Sequence, residues 1–183
     1  MKLVLTYMSI YDEINLRVNE GKLIQLFPAM PSASVVRTIF AAKAINDLMM
    51  GPWSDLKWEE RCGSLRGDLD RFIEGKPITV AVDPFKGGKN AYMKHLHPYK
   101  DEVWEIRSRA PKPGIRVLGR FADTDVFVAL DWWFRDKLGG PHSREWRVAI
   151  VDCRNQWRNL FPAYDAKLGV DIHDYISGDA LLV

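Results

Sequence analysis

Three apolar runs follow one another between residues 102 and 134, "EVWEIRS", "GIRVLGRF" and "DVFVALDWWF". They are joined by the turn-rich stretches "RAPKPG" and "ADTD". Three extended segments with short connections predict an antiparallel meander. The third run is apolar on both parities from Val126 to Leu130, as expected of a central strand covered on both faces. This block constrains the fold more than any other part of the chain.

Helical patterns surround it. In "YDEINLRVNEGKLIQLF" the apolar residues recur with mixed spacing, broken at Gly21. After a prolyl link, "VVRTIFAAKAINDLMM" places Val36, Ile39, Phe40, Ala44 and Leu48 on one stripe, with Ser32 or Ser34 as N-cap and Gly51 as terminator. A further helix is predicted in "SDLKWEERCGSLRGDLDRFIEG", capped by Ser54 or Asp55 and closed by Gly75. "PITVAVD" then reads as a strand, "PFKGGKNA" as a loop, and "YMKHLH" fits neither class clearly. Beyond the meander, "SREWRVAIVDCRNQWRNLF" spaces Trp146, Ala149, Ile150, Cys153 and Trp157 helically. The fold expected is α+β: a small antiparallel sheet of about four strands, preceded by helices and followed by a C-terminal helix. Its parts are a helical extension over 1–57, an α+β domain over 58–158 and an acidic tail over 159–183.

Composition supports a packed core, with 47% hydrophobic residues and seven tryptophans. The net charge of +2 conceals an asymmetry. Residues 1–85 hold 10 Lys/Arg against 11 Asp/Glu, residues 86–158 hold 15 against 9, and residues 159–183 hold 1 against 4. The basic excess coincides with the meander, a pattern that favours a polyanionic partner. The apolar start meets Asp12 and Glu13 without a cleavage pattern, which reads as mature protein and not a signal peptide. No window reaches the ~20 apolar residues of a membrane helix. Cys62 and Cys153 are too few for a disulfide framework, and reduced thiols fit a cytoplasmic location.

Strand parity gives the arginines a meaning. Glu105, Arg107 and Arg109 share one face of the first run; Arg116, Leu118 and Arg120 share one face of the second. Like charges set opposite each other across strands need a compensating anion. That anion is either internal, with Glu105, Asp123 and Asp125 available, or a bound phosphate held by paired guanidinium forks. Lys94, His95, His97, Arg135 and Lys137 flank the strands and extend such a clamp. Trp132-Trp133 divides between a core ring and a ring able to stack on a base. His95-x-His97 lacks a third ligand at a known spacing, so no metal is expected. "KGGK" at 86–89 lacks the spacing of a phosphate-binding Walker loop, and no cofactor is expected.

"KHLHPYKDEVWEIRSR", "GIRVLGRF" and "DVFVALDWWFRDKLGGP" together resemble the RelE/HigB superfamily of bacterial toxins, in its phage-derived branch. Lys94 and Leu96 match the family's K-x-L step, and Trp104-Glu105-Ile106-Arg107 its W-E-l-R step. Arg116-Val117-Leu118 match the R-v-l step; Leu130, Phe134 and Lys137 match the end of the third strand. The resemblance spans residues 58–158 and implies a RelE-like fold and ribosome-dependent mRNA cleavage, neutralised by an antitoxin. It implies Arg107, Arg116, Lys94 and His95 as catalytic residues, the cations steadying the phosphate and the histidine moving protons. Arg109, Arg120, Arg135, Lys137 and Trp132 would bind RNA. The expected partners are mRNA on the ribosome, an antitoxin protein and a second copy of the chain, with no membrane. The alternative is a non-catalytic RNA- or protein-binding module of phage or mobile-element origin.

Overall fold

The computed structural model describes residues 8–82 and 88–183. The apolar start at 1–7 and the Lys86-Gly87 half of "KGGK" lie outside the described residues. The elements are α1 (Ile10–Asn19), β1 (Leu23–Leu26), β2 (Thr38–Ala42), α2 (Lys43–Met50), α3 (Leu56–Ile73), β3 (Ile78–Ala81) and β4 (Met93–His95). They continue as β5 (Trp104–Ser108), β6 (Ile115–Asp123), β7 (Val126–Phe134), α4 (Arg144–Leu160), α5 (Ile172–Tyr175) and β8 (Ala180–Leu182).

The class is α+β, but the small four-stranded antiparallel sheet is not what forms. One eight-stranded mixed sheet runs in the order β1-β2-β7-β6-β5-β4-β3-β8. The meander β5-β6-β7 is antiparallel as expected. Three parallel pairings enlarge it: β2 with β7, β3 with β4, and β3 with β8. The RelE-like architecture is therefore corrected. So is the wholly helical N-terminal extension, since β1 and β2 both come from it. All three sequence segments supply strands to the one sheet.

The misassigned stretch has a physical reason. "TIFAA" carries a helical stripe, but it also holds a β-branched and aromatic run that pairs beside β7. Tertiary pairing outweighs a weak local preference. Helix α2 therefore starts only at Lys43, from Ala42, which makes no side-chain capping bond. Neither Ser32 nor Ser34 caps a helix; of the two caps offered for α3, Asp55 is the one that forms, accepting from Trp58 N at 2.9 Å.

Two apolar layers flank the sheet. On one face Ile39, Ile106, Val117, Phe127 and their neighbours pack against α2, α3 and α5. On the other, Leu118, Val128 and Leu130 pack beneath α1 and α4, with Trp157 and Phe161 buried. The β6–β7 register shifts between Leu118 and Gly119. A Cβ on Gly119 would stand 2.2 Å from Val128 O, so the two backbones approach where only glycine fits. Among the described residues no helix is long and apolar enough to cross a membrane.

Candidate polyanion-binding site

β5 and β6 place Arg107 directly opposite Arg116. Glu105 separates their charges. Arg107 Nη2 lies 2.7 Å from Glu105 Oε1, and its Nε donates to the same oxygen at 2.8 Å. Arg116 Nε sits 3.2 Å from Glu105 Oε2, an ion pair whose angles fall short of a hydrogen bond. The carboxylate is 2% exposed and each arginine side chain 12%, so one buried anion serves two partly covered cations. Arg107 Nη1 also donates to Gly88 O. Burial, with Arg107, Arg135 and Arg109 nearby and only Glu105 opposing, brings the Arg116 guanidinium down to about 10. The internal compensator is thus Glu105 alone. Asp123 instead holds Tyr11 and Lys167, and Asp125 pairs with Arg37.

Arg109 and Arg135 lie close enough to add their charge at Arg116, and further cations stand exposed on the same side of the sheet. Arg109 donates to Lys89 O at 2.9 Å and Ala91 O at 2.6 Å. Lys94 is the register partner of Glu105 on β4 and shares its side of the sheet. Arg135 donates to Gly139 O at 2.7 Å in the 3-10 turn Arg135–Leu138, where Lys137 is exposed. Arg144 and Arg147 stand exposed on the first turns of α4, which covers the same face. Among the described residues Lys94, Arg109, Arg135, Lys137, Arg144 and Arg147 form no ion pair. Arg17, Lys22, Lys43, Arg66, Lys76 and Lys167 each hold a carboxylate. Lys57, Arg61, Lys100, Lys112 and Arg158 likewise form no ion pair among the described residues, so what sets this face apart is the pair of arginines sharing one buried carboxylate.

Three predicted members do not join the patch. Arg120 is 7% exposed, lies 5.2 Å from the Trp157 ring centre beneath α4, and points Nε at Glu102 O. Its guanidinium is a core element. Trp132 packs with Trp58 and Phe134 on the opposite face. Trp133, the register partner of Arg116, is the ring on the arginine side, its indole donating to Asp131 at 2.9 Å. His95 pairs with Trp104 and stacks on it, centroids 4.2 Å apart. The sheet therefore separates His95 from Arg107 and Arg116, and its near neighbour is Glu102 at 3.5 Å.

No family model matches this chain, and neither does any curated protein or solved structure. The resemblance to the RelE/HigB toxins rests on the quoted residues alone.

Two clefts contain residues that strand parity did not reveal. One, of about 440 Å³, runs between α3 and the end of β5, with Asp68, Arg71, Asn90 and Tyr92 facing Arg107 and Arg109. A signal for it lay in the α3 sequence: Ser64, Gly67, Asp68 and Arg71 fall at i, i+3, i+4 and i+7, a small and polar stripe. The other, of about 470 Å³, holds His95, Glu102 and Tyr175. There the Tyr175 hydroxyl donates to Glu102 Oε2 at 2.7 Å and accepts from Gly169 N at 2.8 Å. These bonds tie the C-terminal segment to the sheet.

Proposed function

We propose that this protein is a non-catalytic binding module for a phosphodiester strand, RNA in the first instance. The observation that carries the reading is the uncompensated charge around Arg107 and Arg116. One buried carboxylate serves both, and Arg109 and Arg135, which add their positive charge at Arg116, form no ion pair among the described residues. Guanidinium groups fixed by backbone carbonyls, as Arg109 and Arg135 are, keep free N–H groups and lose little entropy on gripping phosphate oxygens. Trp133 on the same side supplies a ring beside the arginines.

Cleavage has less support. Attack by a ribose 2′-hydroxyl needs a proton-moving group beside the phosphate, and His95 lies across the sheet from the arginine pair. A cytoplasmic setting belongs to the same reading, supported by Cys62 and Cys153, both buried and free of disulfides.

The test is binding of a fluorescent single-stranded RNA across a salt series, with the same samples run on a denaturing gel. Expected is affinity that falls steeply with salt and RNA that stays intact. Absence of binding at low salt would remove the proposal. Accumulating product that disappears in Arg107→Ala/Arg116→Ala would replace it with the toxin-like reading.

A further inference from the structure

The cleft between α3 and the end of β5 has the chemistry of a smaller, more specific site. One wall is the α3 stripe: Ser64, Asp68 and Arg71, with Gly67 leaving room, since a Cβ there would meet nothing within 4 Å. The other wall carries Asn90, Tyr92 and Arg109. Arg71 anchors Nε on Pro77 O at 3.1 Å, and its two Nη groups form no bond among the described residues. Arg109 is fixed through both Nη groups to Lys89 O and Ala91 O, with its Nε uncommitted. Two positioned guanidinium groups therefore border one space of about 440 Å³, within the range of small-ligand pockets.

Between them lies Asp68. The Tyr92 hydroxyl donates to its main-chain carbonyl at 2.6 Å, fixing that turn of α3 against the sheet. Burial raises the Asp68 carboxyl above its ordinary range, with Ser108, Arg71 and Arg109 pulling the other way. The group remains an acceptor for a hydroxyl.

A mid-chain phosphate offers two non-bridging oxygens and one negative charge. A terminal phosphomonoester offers three oxygens and nearly two charges, so guanidinium groups from two walls can each engage it. A ribose places a 2′-hydroxyl donor close to that phosphate, and a carboxylate is its usual acceptor. We infer that the cleft takes the terminal phosphorylated ribonucleotide of the bound strand, with Arg71 and Arg109 on the phosphate and Asp68 on the ribose hydroxyl. This rests on the RNA-binding reading and adds end recognition to it.

The experiment compares RNA strands of one sequence carrying a 5′-phosphate, a 3′-phosphate or hydroxyl ends, each titrated into the whole protein. One phosphorylated strand should bind about tenfold tighter than its hydroxyl twin, a difference of about 1.4 kcal/mol. A nucleoside monophosphate should compete for that increment. Arg71→Ala should bring the ratio of the two affinities to about one. Gly67→Leu should do the same by filling the cleft. It enters open space and improves helix propensity, so it keeps the fold. Equal binding of all three strands by the unaltered protein overturns the end site while leaving RNA binding intact. Failure of every strand to bind defeats the RNA reading, and the end site with it.

Discussion

Arg107 and Arg116 stand opposite each other on β5 and β6 and divide the Glu105 carboxylate, Arg107 on Oε1 at 2.7 Å and Arg116 on Oε2 at 3.2 Å. Neither arginine is balanced without it. Glu105→Gln keeps the shape but leaves two partly buried cations facing each other across the strands. The expected cost is about 3 kcal/mol of unfolding free energy, the scale found when one partner of a buried ion pair is removed. Urea unfolding measures it. An unchanged midpoint would show that the two guanidinium groups are already solvated.

Salt dependence separates the exposed cations from the buried one. Each phosphate contact to a single strand contributes about 0.7 to the slope of log affinity against log salt. Arg109→Ala and Arg135→Ala should each lower the slope by about that amount. Arg120→Met should leave it unchanged, because Arg120 lies under α4 against Trp157. A slope that fell with Arg120→Met and not with Arg109→Ala would put the binding surface elsewhere.

Local strand signals are enough for the meander and for the arginine-bearing face of each strand in "EVWEIRS" and "GIRVLGRF"; whether Arg107 meets Arg116 or Arg120 depends on register, and the observed register chooses Arg116. What escaped depends on pairing between distant segments. β2 and β8 become strands because β7 and β3 offer edges more than 80 residues away in sequence, which no local period encodes. Arg120 alternates like its neighbours, yet α4 happens to cross above it. The β6–β7 register shift keeps Leu130, Asp131 and Trp133 on the α4 side and sends Trp132 to the other. Arg71 and Asp68 escaped because a polar helix stripe looks like a solvated face until another wall stands opposite.

Gly119 tests the sheet directly. A methyl group there meets Val128 O at 2.2 Å and the Phe127 ring at 2.5 Å, and the carbonyl cannot rotate away without breaking the strand pairing. Gly119→Ala should cost about 2 kcal/mol, in the range of overpacked cores. For a chain of this size that lowers Tm by roughly 4–8 °C. A thermal melt within a degree of the parent would contradict the close approach of β6 and β7.

Both thiols are buried, and burial pushes both upward from their ordinary pKa, Cys153 the more strongly. A thiol-specific reagent at neutral pH should modify neither within minutes in the folded protein and both after denaturation. Rapid native labelling of Cys153 would mean that α4 lifts from the sheet on that timescale.

Glu102 supplies a pH signature. Its carboxyl is pushed above its ordinary 4.5 chiefly by burial, against the pull of Tyr175, Trp104 and Arg120. A raised folded-state pKa means that the native protein binds this proton more tightly than the unfolded chain. The associated stability is fully present below about pH 4.5 and is lost as pH rises through the higher folded value. Glu102→Gln imitates the protonated acid and keeps an acceptor for the Tyr175 hydroxyl. Asp68 and Asp131 shift in the same direction but remain in both proteins, so they cancel in the comparison. Urea midpoints between pH 4 and about 6 should show the variant gaining on the parent as pH rises. Parallel profiles would mean that Glu102 is hydrated in the native state, and that the segment carrying Tyr175 does not seal it against the sheet.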